Sequence, residues 1–162
     1  MRAEINTADK EFSPHVLVLP VGSTVAFPNH DPFSHNVFSQ SEENPFDLGL
    51  YGRGEPKAVK FSRAGMVRIY CNVHPQMSAV VVVRDNPYYS RPSSDGSFTL
   101  DAPVGQYVLH VWHERAPTTS RDVVIPADGI PALELQLDAR GYKFKPHLNK
   151  FGRPYPQQGR RY

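Results

Sequence analysis

Proline and glycine punctuate this chain from end to end, and the punctuation limits every regular element to a short run. Sixteen prolines and eleven glycines occupy 27 of 162 positions. Average usage of the two together would be roughly 12 %. Proline removes an amide donor and fixes φ, while glycine admits turns that other residues resist. Many short strands joined by turns are therefore expected, in place of long helices. The longest uninterrupted apolar run is Ala79-Val80-Val81-Val82-Val83. A membrane-spanning helix needs about 20 apolar residues, and no apolar secretory segment follows Met1. Apolar residues nevertheless make up 40 % and charged residues 21 %, a mixture that supplies a core and argues against wholesale disorder.

The runs between the breaks read as strands. Residues 3–6, 16–19 and 24–27 come first, with Pro20-Val21-Gly22-Ser23 as a turn. Residues 36–39, 58–61 and 67–70 follow, the last two around the turn Arg63-Ala64-Gly65. Residues 78–83 carry four consecutive valines, the pattern of a central strand buried on both faces. Six or seven short strands in about 85 residues predict a β-sandwich. Residues 40–56 interrupt the pattern as a long Ser-, Asn-, Pro- and Gly-rich stretch anchored by Phe46, Leu48, Leu50 and Tyr51. A connection of that length is usually functional or holds an element of its own.

We divide the chain into a domain over 1–85, a small β unit over 86–138 and a tail over 139–162. Strands of the small unit are expected at 97–100, 106–114, 121–125 and 132–137, with Trp112 as its core. The tail holds seven basic residues and no acid, leaving 11 basic against 16 acidic residues in the rest of the chain. A basic tail on an acidic body suggests an acidic protein partner, or simply a solvated segment, rather than a nucleic-acid-binding domain. Its prolines and aromatics suit an extended form lying along the body.

The chain has one cysteine, which excludes an internal disulfide. A free cysteine is often an inert buried thiol, and a Cys/His pair can be a nucleophile. Here Cys71, His74 and Met77 fall within the seven residues Cys71-Asn72-Val73-His74-Pro75-Gln76-Met77, between two strong strands. A soft thiolate, an imidazole and a weak thioether together suit copper, which cycles between a soft reduced ion and a harder oxidised one. A trigonal site needs a second imidazole, and the loop Pro28-Asn29-His30-Asp31-Pro32-Phe33-Ser34-His35-Asn36-Val37 offers His30 and His35. Gln76 is an alternative axial donor to Met77. His15 and His147 read as surface residues. His110 and His113 are expected on opposite faces of one strand, which disfavours a shared metal.

These motifs resemble the cupredoxins, the type 1 blue copper electron carriers, and most of all the amicyanin branch and its methylamine-utilisation-type relatives. His35-Asn36-Val37 matches the family's first His followed by Asn-Val. Cys71, His74, Pro75 and Met77 match the short-loop spacing Cys-x2-His-x2-Met. Val21-Gly22-Ser23-Thr24-Val25-Ala26-Phe27-Pro28-Asn29 matches the family's opening, and the likeness spans about residues 3–84. It implies an all-β, Greek-key cupredoxin sandwich with one type 1 copper. His35, Cys71 and His74 would be the equatorial ligands and Met77 the weak axial one, so His35 is preferred to His30. Asn36 would pin the two ligand loops together, its backbone amide reaching the thiolate. The 40–56 stretch departs from the family and would cover the copper, add a carboxylate or shape a docking face. Asp95-Gly96-Ser97-Phe98-Thr99-Leu100 and Pro103-Val104-Gly105-Gln106-Tyr107-Val108-Leu109 resemble the small transthyretin-like or carboxypeptidase-regulatory-like β-domains, which would make the second unit a structural or docking module.

The resemblance implies one-electron transfer between larger redox proteins, such as a cytochrome or a quinoprotein dehydrogenase, with no substrate transformed. It implies a periplasmic or otherwise extracytoplasmic place, a signal peptide having been removed. Electrons would pass by the exposed edge of His74, beside Phe33 and Pro75. Two other readings are carried: a copper carrier or store without redox duty, and an interaction module with a vestigial site.

Overall fold

Alternating apolar residues make a strand when one face can be buried, and the two sheets of the first unit form around that rule. The computed structural model describes residues 1–130 and 132–156. Among them there is no helix; the regular elements are twelve strands. These are β1 (Arg2–Glu4), β2 (Asn6–Ala8), β3 (Glu11–Ser13), β4 (Val16–Pro20), β5 (Thr24–Phe27), β6 (His35–Ser39), β7 (Phe46–Tyr51), β8 (Lys57–Lys60), β9 (Gly65–Cys71), β10 (Ser78–Arg84), β11 (Gly105–His113) and β12 (Ala116–Ile125). The chain divides into one unit of residues 1–87 with 146–162, and a second of 88–145.

In the first unit a five-stranded sheet runs β4-β10-β9-β6-β7 and a three-stranded sheet runs β1-β5-β8. The valine run occupies an inner strand, as expected: β10 pairs in parallel with β4 and antiparallel with β9. Ala79, Val80, Val81 and Val83 are buried. Val25 and Phe27 from one sheet share a single core with Leu19, Val37, Val67, Ile69, Val81 and Val83 from the other. Cys71 and Met77 belong to the same core. The result is an all-β sandwich. Gly65 opens β9 at φ 148°, and a Cβ there would stand 2.7 Å from Glu43 Cγ, so glycine is required at that turn.

Phe27 sits at the centre, its ring 6.0 Å from that of Phe46, which in turn lies edge-on to Phe61 at 6.1 Å. Replacing a buried phenylalanine by alanine removes the transfer term and leaves a cavity. Phe27→Ala should therefore lower the unfolding free energy by about 3–5 kcal/mol, read by urea titration.

The sheets add three elements to the sequence reading. Residues 46–51 form β7, the edge strand beside β6, so the 40–56 stretch contains a strand of the main sheet. β2 and β3 form a hairpin whose turn residues, Asp9 and Lys10, both have positive φ, 53° and 60°. That left-handed pair matches the tight two-residue turn a right-twisted hairpin favours.

The second unit is an antiparallel hairpin of β11 and β12 with an irregularity between Val111 and His113. Residues 97–100 and 132–137 form no strand, contrary to expectation. Neither stretch finds a ladder partner, and alternation alone does not make a strand without one. Trp112 is half-buried rather than a core residue. Two strands offer it no opposing layer, and all fully buried apolar residues among those described lie between Ile5 and Val83.

Candidate metal centre

The donors are set by where two antiparallel strands begin and end. His35 is the first residue of β6 and Cys71 the last of β9, and Val37 faces Cys71 in the register. Both side chains are therefore delivered to one end of the sandwich. The loop after β9 closes on itself: the Cys71 amide donates to the Met77 carbonyl at 3.3 Å and the Met77 amide to the His74 carbonyl at 3.1 Å. Pro75 occupies the second position of that His74–Met77 turn, where its fixed φ is pre-set. His74 is thereby folded back over Cys71.

The structure brings three of the four expected ligands together. Cys71 Sγ lies 3.8 Å from Nδ1 of both His35 and His74. The two Nδ1 atoms are 3.1 Å apart. Among the described residues this is the one group of three or more potential donors, all within 4.8 Å of one another. Met77 is buried at the base of the same loop. His30 is turned away, its Nε2 on Asn6 Oδ1 at 3.0 Å. The second unit adds no cluster: His110 Nδ1 pairs with Ser120 Oγ at 2.8 Å and His113 Nδ1 accepts the Arg115 amide at 3.1 Å.

One thiol sulfur and two imidazole nitrogens converging at one end of the sandwich are the donor set of a soft, trigonal metal site. Cys71 and His35 are fully buried, and His74 alone of the three is partly exposed. The Cys71 thiol is thus held inside the sandwich, with no surface of its own exposed. Phe33 covers both imidazoles, 5.2 Å from His35 and 5.6 Å from His74.

The supporting contacts fix which nitrogen is free. Asp31 Oδ2 takes His35 Nε2 at 2.7 Å, leaving Nδ1 to face the sulfur. Such a carboxylate sets the tautomer and raises the basicity of a ligand histidine. Asp31 is held in turn by the amides of Asp9 at 2.8 Å and Lys10 at 3.1 Å. The strained hairpin tip thus has a local purpose: it aims two amides at the carboxylate behind His35. The sequence reading missed Asp31, whose only signal is its place four residues before His35 in a loop that otherwise reads as a turn.

Asn36 departs from expectation. Its side chain donates to Asp47 Oδ1 at 2.6 Å, and the amide that reaches Sγ is that of Val73, at 3.4 Å. The strand β7 places Asp47 opposite Phe38, within reach of Asn36, and so draws that side chain away from the ligand loop. Asp47 is the carboxylate the 40–56 stretch contributes, and it supports the site from outside the donor cluster.

Burial, with the neighbouring His35 and Lys10, holds His74 below its ordinary value of 6.5, and Asp31 opposes them only in part. The neutral, ligating imidazole therefore persists into mild acid. The unfolded chain binds more protons between the two values, so apo stability rises with pH through that window. An NMR titration of the apo chain should place the His74 midpoint below 6.5.

Fold and donor set together define a copper-binding β-sandwich of the cupredoxin class. Residues 1–84 match the family of copper binding proteins typified by plastocyanin and azurin, and the chain belongs to that family. The family binds copper, and the His35, Cys71 and His74 cluster is consistent with a type 1 site. No curated protein matches the chain. A similar solved structure is the copper-containing nitrite reductase of Thermus scotoductus SA-01, 27 % identical over 53 % of this chain with a TM-score of 0.50. The chain spans only 23 % of that reductase. A purple cupredoxin from Nitrosopumilus maritimus is 26 % identical over 51 % of this chain and 99 % of its own, with a TM-score of 0.45. A reduced amicyanin variant is 24 % identical over 50 % and 80 %, with a TM-score of 0.47.

Proposed function

We propose that this chain is a one-electron carrier in which His35, Cys71 and His74 hold one copper and Met77 is the weak axial ligand. The observation that carries the reading is the buried thiol and two imidazole nitrogens within 4.8 Å, with a single imidazole reaching the surface. Bound copper would supply the one-electron couple. The chain's own residues supply the frame. Cys71 and His35 are locked in the sandwich, Asp31 fixes the His35 ring, and the closed 71–77 loop fixes His74. A frame that does not move between oxidation states keeps the energetic cost of electron transfer low. Phe33 and Val73, 39 % and 42 % exposed, border the His74 edge and offer a small apolar face for docking.

On this reading the chain transforms no substrate and exchanges electrons with a redox protein, such as a cytochrome or a quinoprotein dehydrogenase. It works outside the cytoplasm, in the periplasm or its equivalent, where proteins of this kind find both copper and partners. No helix among the described residues is long and apolar enough to cross a membrane. We assign the copper domain to 1–85, a docking module to 86–138 and the tail to 139–162. Exposed bases of the tail such as Lys143 and Arg153 would steer an acidic partner.

Voltammetry of the copper-loaded 162-residue chain tests this. A reversible one-electron wave at one copper per chain is expected. Rapid surrender of copper to a chelator with no reversible wave would favour the carrier or storage reading. A folded chain that takes up no copper would favour the interaction module.

A further inference from the structure

The last described segment returns to the copper domain and settles beside the ligand cysteine. Its shape is set locally. Asn149 accepts the amides of Phe151 at 2.9 Å and Arg153 at 3.1 Å through its side chain, and its own amide donates to the Arg153 carbonyl at 2.9 Å. Gly152, at φ 69°, completes the turn. The turn presents Lys150 on one side and leads to Tyr155 beyond it.

From there the contacts converge on residues 70–72. The Tyr155 hydroxyl donates to the Cys71 carbonyl at 2.6 Å. The Lys150 amide donates to Asn72 Oδ1 at 3.0 Å. The His147 ring stacks on Tyr70 with centroids 4.0 Å apart, and stands edge-on to Tyr155 at 5.2 Å. Gln40 Nε2 donates to the Lys150 carbonyl at 2.8 Å, which ties the segment to the other end of β6.

The Lys150 side chain makes the connection that matters most. Its ammonium meets Asp47 Oδ2 at 2.7 Å, and the other oxygen of that carboxylate accepts from Asn36. Asn36 directly follows His35, and Asn72 directly follows Cys71. One residue of the segment is thus bonded, directly or through Asp47, to the neighbours of two donors on adjacent strands. A solvated basic tail would make none of these contacts.

We propose that residues 147–155 form a strap belonging to the copper centre, with Tyr155 and Lys150 as positioning residues that hold the Cys71 and His35 backbones in ligating register. The proposal rests on the copper reading above. Residues behind a ligand typically change metal affinity about 10- to 100-fold when lost. The strap acts in that way from the far side of the thiolate, as Asp31 does from behind His35.

The test uses the 162-residue chain with Tyr155→Phe, Lys150→Met and the two combined, with Lys150→Arg as the conservative replacement and Lys145→Met as control. Three properties are read: the energy of the thiolate-to-copper band, the rate of copper transfer to a chelator, and the melting temperature of the apo chain. We expect the double variant to release copper about 10- to 100-fold faster and to shift the band. Tyr155→Phe alone should do both to a lesser degree, Lys150→Arg should recover most of the Lys150→Met loss, and Lys145→Met should match the parent. A lower apo melting temperature with band and release rate unchanged would overturn the proposal, since the strap would then only cover the sheet. If the double variant does not fold, an unchanged band and release rate in Tyr155→Phe overturns it equally. A parent chain with no thiolate band removes the copper reading and the strap's role with it, whereas a normal parent band and unaffected variants remove the strap's role alone.

Discussion

Replacing Cys71 with serine removes the intense visible band of the copper-loaded chain altogether and leaves the apo fold standing. The band depends on thiolate covalency, and Cys71 is the only cysteine in the sequence. A serine oxygen is a harder donor, so whatever copper still binds at His35 and His74 would show the weak absorption of a nitrogen and oxygen site. The structural cost is small because the position already has polar neighbours. A buried hydroxyl there would find His35 Nδ1, His74 Nδ1 or the Val73 amide, the groups that now surround Sγ. Satisfied in this way, the substitution should cost no more than about 1–2 kcal/mol. Visible absorption and thermal melting of the same preparation check both halves.

Asp31→Ala has the opposite profile: it disturbs the apo fold as well as the site. The carboxylate is buried and accepts from the Asp9 amide, the Lys10 amide and His35 Nε2. Removing it strands two amides at a left-handed hairpin tip and frees the His35 ring to rotate. Hydrogen bonds to a charged group contribute about 1.5–3 kcal/mol each. Water entering the vacated space recovers part of that, so we expect a loss of about 3–5 kcal/mol. Copper affinity should fall about 10- to 100-fold.

The effect has a pH signature. Burial pushes the Asp31 carboxyl up, but the Lys10 amide, the His35 imidazole and the Asp9 amide together hold it below its usual 3.8. A carboxylate depressed in the folded state contributes stability above its unfolded value and loses it as pH falls through the folded one. The gap in stability between parent and Asp31→Ala should therefore be constant above about pH 5 and close progressively below it. Urea titrations of the two apo proteins across that range would show it.

Much of the frame was legible because it rests on local patterns. β5 and β10 sit where β-branched runs place them, and the Cys71-to-Met77 spacing brought out the ligand loop. The hairpin of β2 and β3 was not legible. Its turn is Asp9-Lys10, without the Asn-Gly or Gly-Gly that marks such turns, and its strands are mostly polar. β7 did leave a trace, since Phe46, Leu48 and Leu50 alternate, but the surrounding Ser, Asn and Pro made the stretch read as a loop. In the second unit the error ran the other way. Alternating residues at 132–137 looked like a strand yet have no partner to pair with.

The supporting shell of the site was the least legible part. His35, Cys71 and His74 announce themselves by type and spacing, whereas their supports are ordinary residues made special by distant contacts. Asp31 matters because residues 9 and 10 turn toward it. Asp47 matters because Lys150, over a hundred positions later, comes back to it. The basic tail read as a steering segment, and at least one of its charges is spent inside the domain.

The most direct test of the copper assignment is a Cu(II) titration of the purified 162-residue apo chain followed by visible absorption and EPR. An intense thiolate-to-copper band saturating at one copper per chain, with narrow copper hyperfine splitting, is the predicted result. A weak band with the wide splitting of nitrogen and oxygen ligation, identical in Cys71→Ser, would contradict it.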